Sequence, residues 1–122
     1  VVPFRNGIML SIAAGIAESI DCKYLLISNH AGDHAIYPDC RENFIQSMSQ
    51  AISFGTYNQV EILAPFTLIS KREIALEGKK IEVPFENTYS CYNGHETHCG
   101  TCGTCTERKE ALEGFDPTRY QK

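Results

Sequence analysis

Several things are missing from this 122-residue sequence, and each absence excludes something. No apolar run approaches the roughly 20 residues a membrane-spanning helix needs, and no charged-then-apolar leader opens the chain. A spanning helix is therefore excluded, and a cytoplasmic location is the default expectation. Positive charge is scarce: 11 Lys and Arg stand against 15 Asp and Glu, for a net charge of -4. A protein built to grip a phosphate backbone carries the opposite balance, so direct nucleic-acid binding is not expected. Nine glycines are present, yet none forms a GxGxxG or GxxxxGK[ST] phosphate loop. There is no internal repeat and no low-complexity stretch.

What is there reads as one ordinary globular domain at most, 43% apolar and 21% charged. The chain begins at Val1 rather than Met, and nothing precedes its first helix, so it reads as part of a longer protein. Ile8, Ile12, Ile16 and Ile20 fall four apart and predict a helix over 7–20, capped by Asn6, with the isoleucines facing the core. Residues 23–28 (KYLLIS) predict a strand buried on both faces, followed by a polar loop from Asn29 to Asp39. Asp39 and Glu42 predict the cap of a second helix running to about Phe54, with Phe44, Met48 and Ile52 as its stripe and Gly55 as its stop. A short strand over Val60–Ala64 stops at Pro65, and Ser70 with Glu73 opens a third helix ending near Gly78. This alternation is that of a parallel α/β sheet, although two strands make an incomplete one. The character changes at Asn87, giving a division into residues 1–86 and a cysteine-rich segment with a short C-terminal helix or tail, residues 87–122.

Cys91, Cys99, Cys102 and Cys105 follow the pattern C-x7-C-x2-C-x2-C. Two-residue gaps let neighbouring thiolates converge on one ion, and Gly94, Gly100 and Gly103 permit the turns, so a closed, structural four-cysteine zinc site is expected. Disulfides, an iron–sulfur cluster and a site in which His95 or His98 replaces a cysteine remain alternatives; the ferredoxin run would need a cysteine where Lys109 stands. Cys22 reads as a small buried hydrophobe.

Three other segments are richer than scaffold requires. VPFRN (Val2–Asn6) puts Arg5 at a helix start, where free amides and a guanidinium both favour an anion. HAGDHAIYPDCR (His30–Arg41) follows the carboxyl end of a strand, the edge at which open α/β sheets bind ligands. SKREI (Ser70–Ile74) places Lys71 at another helix start, able to meet phosphate, while Ser70 and Glu73 also read simply as a capping pair.

With SCYNG and the cysteines, these segments resemble, in order, the 7-cyano-7-deazaguanine synthase family, a branch of the PP-loop ATP pyrophosphatases. The resemblance runs from Val2 to about Arg108 and departs from the family in lacking its SGGxDS phosphate loop, which puts ATP binding and turnover by this chain alone in doubt. It implies an incomplete Rossmann-like domain of the adenine nucleotide alpha hydrolase kind. It also implies a carbon–nitrogen ligase that uses ATP, magnesium and ammonia to turn 7-carboxy-7-deazaguanine into its nitrile on the route to queuosine, working as a homodimer. On that resemblance Arg5 and Lys71 are candidates for phosphate or carboxylate contacts. Asp33, Asp39 and Arg41 are candidates for holding the base or its carboxylate, with Tyr37 stacking on it and Ser90 placing the zinc loop. Cys40, near cations, would have a lowered pKa and could act as a nucleophile, though a packing role is expected. Two other functions stay open: a tRNA-thiolating PP-loop enzyme, and a zinc-stabilised regulatory or nucleic-acid-binding module.

Overall fold

The structure, a computed structural model, describes residues 2–94 and 96–121, and the chain divides into two compact units, Val1–Ser70 and Lys71–Lys122. The first unit holds α1 (Arg5–Ser19), β1 (Tyr24–Leu26), α2 (Glu42–Gly55) and β2 (Glu61–Leu63), with single 3-10 turns at Ala31–Asp33 and Pro38–Cys40. The strands pair in parallel, Leu25 opposite Ile62, and α1 and α2 both pack on that side of the sheet. The class is α/β, as the alternation of elements predicts.

Helix α1 starts earlier than predicted, and Asn6 lies in its first turn rather than at its cap. Phe4 turns into the helix in the left-handed region (φ 56°) and folds its ring over Gly7, where a Cβ would lie 2.3 Å from the ring. The same ring meets Phe44 of α2 edge-on at 5.6 Å between centroids. The buried side of α1 is Gly7, Leu10, Ala14 and Ala17, not the isoleucines. Ile8, Ile12, Ile16 and Ile20 are 49–64% exposed, which corrects the predicted core face. Spacing alone cannot choose between two apolar sides; the small residues win because they let the helix axis approach the sheet and α2 closely.

Helix α2 begins at Glu42, three residues after the expected cap at Asp39, and buries Ile45 and Ile52 with Phe44 and Met48 beside them. Gly55 is its last residue. Thr56 then bonds back to the Ile52 carbonyl (2.9 Å) and accepts the Val60 amide (2.9 Å), delivering fully buried Val60 to the start of β2. The strands are shorter and less covered than predicted: Tyr24 and Leu26 are 50% and 73% exposed. Side chains alternate between faces, and among the described residues helices cover only the face of Leu25 and Ile62, so the strands are buried on one face in this chain where burial on both was expected. Cys22 is exposed, not buried.

The second unit contains α3 (Lys71–Lys80), a 3-10 turn at Phe85–Asn87, the cysteine segment and α4 (Gly103–Ala111). Ala75, Ala111 and Leu112 form its core with Phe85 and Phe115. Arg72 donates to the carbonyls of Ala111 and Glu113, both at 2.8 Å, closing the end of α4 where carbonyls lack helical partners. The compositional change at Asn87 and this structural division do not coincide, because α3 packs with α4.

Candidate functional site

Two candidate sites stand in the two units. In the first, the loop after β1 is tied to the loop after β2: the Ala31 amide donates to the Ile69 carbonyl at 3.0 Å. Buried Asn29 donates from Nδ2 to the Cys40 carbonyl (2.9 Å) and to the Thr67 hydroxyl (3.1 Å), which in turn donates to the Ala64 carbonyl (3.1 Å). A clamp on the other side joins the same turn to α1. The Asn6 amide donates to Asp39 Oδ2 (2.9 Å), and the Asn6 side chain donates to the Asp39 carbonyl (2.9 Å) and to Cys40 Sγ (3.3 Å). Asp39 thus caps α1 from a distant segment instead of capping α2, and the YPDCR turn is held from both sides.

Asp33 pairs with His30 (3.3 Å), and its carbonyl accepts the amides of Ile36 and Tyr37. Arg41 is exposed and donates from Nε to the His34 carbonyl at 2.8 Å, which closes the loop across its own base. Tyr37 is half-buried and Arg5 exposed. Arg5, Asp33, Tyr37, Asp39 and Arg41 therefore all belong to the helix start and the post-strand loop that this clamp joins. His30 Nδ1 and His34 Nε2 are shielded and have no hydrogen-bond partner there, an uncommon state for buried polar atoms. Burial pushes the Cys40 thiol up, and the charges of Asp33 and Asp39 add to this; the Asn6 hydrogen bond and Arg5 only partly oppose it. The expected lowering is corrected, and Cys40 stands as a protonated packing residue. Lys71 lies in the second unit, ion-paired with Glu107.

In the second unit Cys91, Cys99, Cys102 and Cys105 bring their sulfurs within 4.8 Å of one another. The Cys99–Cys105 and Cys91–Cys102 sulfurs are 3.9 and 4.0 Å apart. Four thiolates at about 2.3 Å from one tetrahedral ion stand about 3.8 Å apart, whereas a disulfide requires about 2.05 Å. All six cysteines are free. The donor set therefore fits a metal ion and not a disulfide pairing. Amides of Thr101 (3.5 Å) and Cys102 (3.3 Å) donate to Cys99 Sγ and hold its pKa down to about 7. The Thr104 hydroxyl does the same for Cys102, to about 5, while burial pushes Cys105 up to about 12. Cys102 stands at the N-cap of α4, where unpaired amides favour thiolate, whereas Cys105 is buried inside the first turn.

His98 is not among the four. It is buried between Tyr89 (4.7 Å) and Tyr120 (5.9 Å), and its Nε2 accepts the Ser90 amide at 3.1 Å. Burial and the charge of Arg108 hold its pKa below the usual range, which suits an acceptor nitrogen. His95 lies outside the described residues.

Composition gave no sign of the framework around the cysteines. Arg108, buried on the inner side of α4, donates from Nε to Thr118 (2.7 Å) and from its two terminal nitrogens to Ser90 (3.1 Å) and the Phe85 carbonyl (2.7 Å). The tail folds back through Asp116, which accepts the Thr118 amide (2.9 Å) and the Tyr120 hydroxyl (2.7 Å), and the Gln121 amide reaches the His98 carbonyl (2.8 Å). Lys109 donates to the Gly100 carbonyl (2.8 Å) while lying 4.5 Å over the Tyr120 ring. A buried arginine needs its donors filled, and the one sequence cue was Arg108 three residues after Cys105 on the same helix face.

The chain is 55% identical over 124 residues to a 7-cyano-7-deazaguanine synthase of Porphyromonas gingivalis, an alignment covering 99% of this chain and 56% of that protein. It is 51% identical to the protein of the same name from Desulfotalea psychrophila, over 98% of this chain and 56% of that protein. For the Allorhizobium ampelinum protein of that name the figures are 49%, 99% and 54%. The chain thus spans about half the length of the curated relatives it matches. A family model described as queuosine biosynthesis protein QueC matches residues 1–116, and the chain belongs to that family.

Proposed function

We propose that this chain is the part of a 7-cyano-7-deazaguanine synthase that holds the deazapurine substrate, in a PP-loop, Rossmann-like domain, together with a structural zinc site. The observation that carries the reading is identity of 49–55% to proteins of that name over nearly the whole chain. The reaction joins 7-carboxy-7-deazaguanine and ammonia at the expense of ATP. A carboxylate is a poor electrophile, so one of its oxygens first becomes a leaving group by adenylation, releasing pyrophosphate. Ammonia displaces AMP to give the amide; adenylation of the amide oxygen and loss of AMP with a proton then leave the nitrile. Magnesium, when bound, neutralises phosphate charge during both transfers.

The chain's own residues bind and orient. Arg5 and Arg41 are the cations available to a carboxylate or phosphate around the clamped loop, Tyr37 offers a ring for stacking, and Asp33 offers acceptors to a guanine-like edge. Asp39 acts one step back, fixing the turn through its contact with Asn6. Lys71, already paired with Glu107, would have to exchange that partner to meet phosphate. The four cysteines would hold zinc as thiolates and shape a segment that has little apolar core of its own. ATP, ammonia and a second copy of the chain complete the proposed partners.

The test uses the full-length protein with 7-carboxy-7-deazaguanine, ATP, magnesium and ammonium, followed by mass spectrometry. Nitrile with stoichiometric AMP is the expected result; ATP consumption without nitrile would refute the substrate assignment, and no consumption would refute the reaction class. Elemental analysis of the same sample is expected to give one zinc per chain.

A further inference from the structure

We propose, resting on the reaction given above, that His30 is a positioning residue: it aims the Asp33 carboxylate at the donor edge of the base and so makes the site selective for a guanine-like ring. His30 is 9% exposed, in the loop after β1. Both of its neighbours are anchored. Asn29 is tied through its side chain to the Cys40 carbonyl and to Thr67, and the Ala31 amide to the Ile69 carbonyl. The ring lies against Gly32, where a Cβ would stand 3.1 Å from Nδ1 and 3.2 Å from Cε1. Nε2 faces Asp33 Oδ2 at 3.3 Å, whereas Nδ1 is shielded and meets no partner. The ring proton therefore belongs on Nε2, directed at the carboxylate. Contacts of this length in catalytic sites commonly tighten when substrate binds.

Two features separate this pair from scaffold. A buried nitrogen without a partner lowers stability, and an apolar side chain of similar volume would avoid that cost. Nδ1 is shielded by the protein's own atoms, so no other part of a longer chain and no second copy reaches it while the loop keeps this form. Stability thus gives no reason for a histidine here, whereas the work of its other nitrogen does. The two aspartates of the loop are also used differently. The Asp39 carboxylate is taken by the scaffold, since it accepts the Asn6 amide at the start of α1. In Asp33 it is the backbone that is taken: its amide donates to the His30 carbonyl (3.2 Å), and its carbonyl accepts the amides of Ile36 (3.1 Å) and Tyr37 (2.8 Å). The Asp33 side chain, 31% exposed, meets His30 and has no other hydrogen bond or ion pair among the described residues. A carboxylate has about four acceptor positions, and His30 occupies one.

The remaining acceptors suit one edge of the proposed substrate. The pyrimidine side of a guanine-like ring presents a ring N–H and an exocyclic amine side by side, both donors, and one carboxylate accepts both. The same ring without the amine offers one donor and turns a C–H toward the second oxygen. A site built to bond an N–H rejects the analogue that lacks it, because its own polar atom is left unpaired. Such rejection needs a carboxylate of fixed direction, since one free to swing turns to water instead. His30, set between anchored neighbours, supplies the fixed point. The charge of Asp33 is among the causes that push the Cys40 thiol up, which places the carboxylate beside the YPDCR turn.

The test uses the full-length protein and two bases, 7-carboxy-7-deazaguanine and its analogue with hydrogen in place of the exocyclic amine. The wild type is expected to prefer the first by about 100-fold or more in kcat/KM. His30→Leu fills the space without a donor and is expected to cut that preference by about tenfold, the worth of one hydrogen bond to a charged group. His30→Gln, whose amide nitrogen takes the place of Nε2, is expected to keep most of it. Gly32→Ala, which presses on the ring without removing it, is expected to lose part of the preference and decides the matter if His30→Leu does not fold. In an Asp33→Asn background, His30→Leu should remove nothing further. Each ratio is taken on one preparation, so protein lost to misfolding cancels; calorimetric binding of the two bases reads it for a variant that no longer turns over. A preference unchanged in His30→Leu, even with both rates reduced, would overturn the proposal and leave His30 a structural residue or a proton acceptor. A wild type that converts neither base would overturn the proposed reaction, and the role of His30 with it.

Discussion

Replacing Arg108 by methionine keeps most of the side chain's length and removes all three of its donations, to Thr118, Ser90 and the Phe85 carbonyl. Hydrogen bonds from a charged donor are worth about 1.5–3 kcal/mol each, but water recovers part of this where partners can reach solvent. The hydroxyls of Ser90 and Thr118 can rotate to new partners, whereas the Phe85 carbonyl keeps a fixed direction. Taking the orphaned carbonyl at about 1–3 kcal/mol and discounting the hydroxyls, the loss comes to about 3 kcal/mol for the second unit. In a unit this small that corresponds to a fall in melting temperature of roughly 10–20 °C. Near-ultraviolet circular dichroism of the metal-loaded full-length protein follows it through Tyr89 and Tyr120, which flank His98. Metal transfer to a chelating dye is expected to accelerate in parallel, since Ser90 adjoins Cys91. Arg108→Lys keeps the charge but not the fork, and is expected to fall between wild type and Met. A methionine variant melting within about 2 °C of wild type, with unchanged metal release, would refute the assignment of Arg108 as the organiser of this unit.

Asp39→Ala removes the acceptor at the start of α1 and is expected to lower the stability of the first unit by about 1 kcal/mol, with Asp39→Asn retaining most of it; equal losses in chemical denaturation would contradict the capping role. Gly100 sits at φ +77°, where an added Cβ meets Lys109 Nζ and Tyr120 at 3.3 Å, whereas at Gly94 (φ +68°) it meets nothing. Gly100→Ala is therefore expected to cost about 1–2 kcal/mol and Gly94→Ala about 1 kcal/mol, the backbone strain alone. The raised pKa of Cys40 means that the unfolded chain gives up this proton first. Its stabilising contribution is full below the unfolded value near 9 and is lost as pH rises through the folded value. Cys40→Ala should flatten that alkaline decline, and a thiol reagent at neutral pH should label Cys22 long before Cys40.

The order of elements and the cysteine cluster were legible because each depends on local signals: alternation of strand and helix, a proline stop at Pro65, thiols at ligand spacing. The side of α1 that meets the sheet was not legible. Isoleucines at intervals of four look like a core stripe, and nothing local says that Gly7, Ala14 and Ala17 pack more closely. Asp39 illustrates the same limit. Three residues before Glu42 it reads as the cap of the next helix, yet the amide it accepts belongs to Asn6, 33 positions earlier. Asn29 and Thr67, 38 positions apart, gave no sign at all, since a pair of ordinary polar residues becomes meaningful only when both are buried together. Arg108 was visible as a charge, but its burial follows from the tail folding back, which spacing does not encode.

The separation of partners along the chain also bears on the order in which the molecule assembles. The sulfur pairs of the metal site are only 6 and 11 positions apart. Loops of about ten residues close in roughly 10–100 ns. In the first unit the Asn6–Asp39 clamp and the Asn29–Thr67 tie join residues 33 and 38 positions apart and wait for longer closures and for a parallel strand pair. Capture of the ion is thus a local event that can come early, whereas the YPDCR turn takes its final form only when α1 and both strands are in place. In refolding followed by pulsed hydrogen exchange, the amides of α4 should be protected before those of α1 whenever metal is supplied at the start, and that lead should vanish when the metal is withheld.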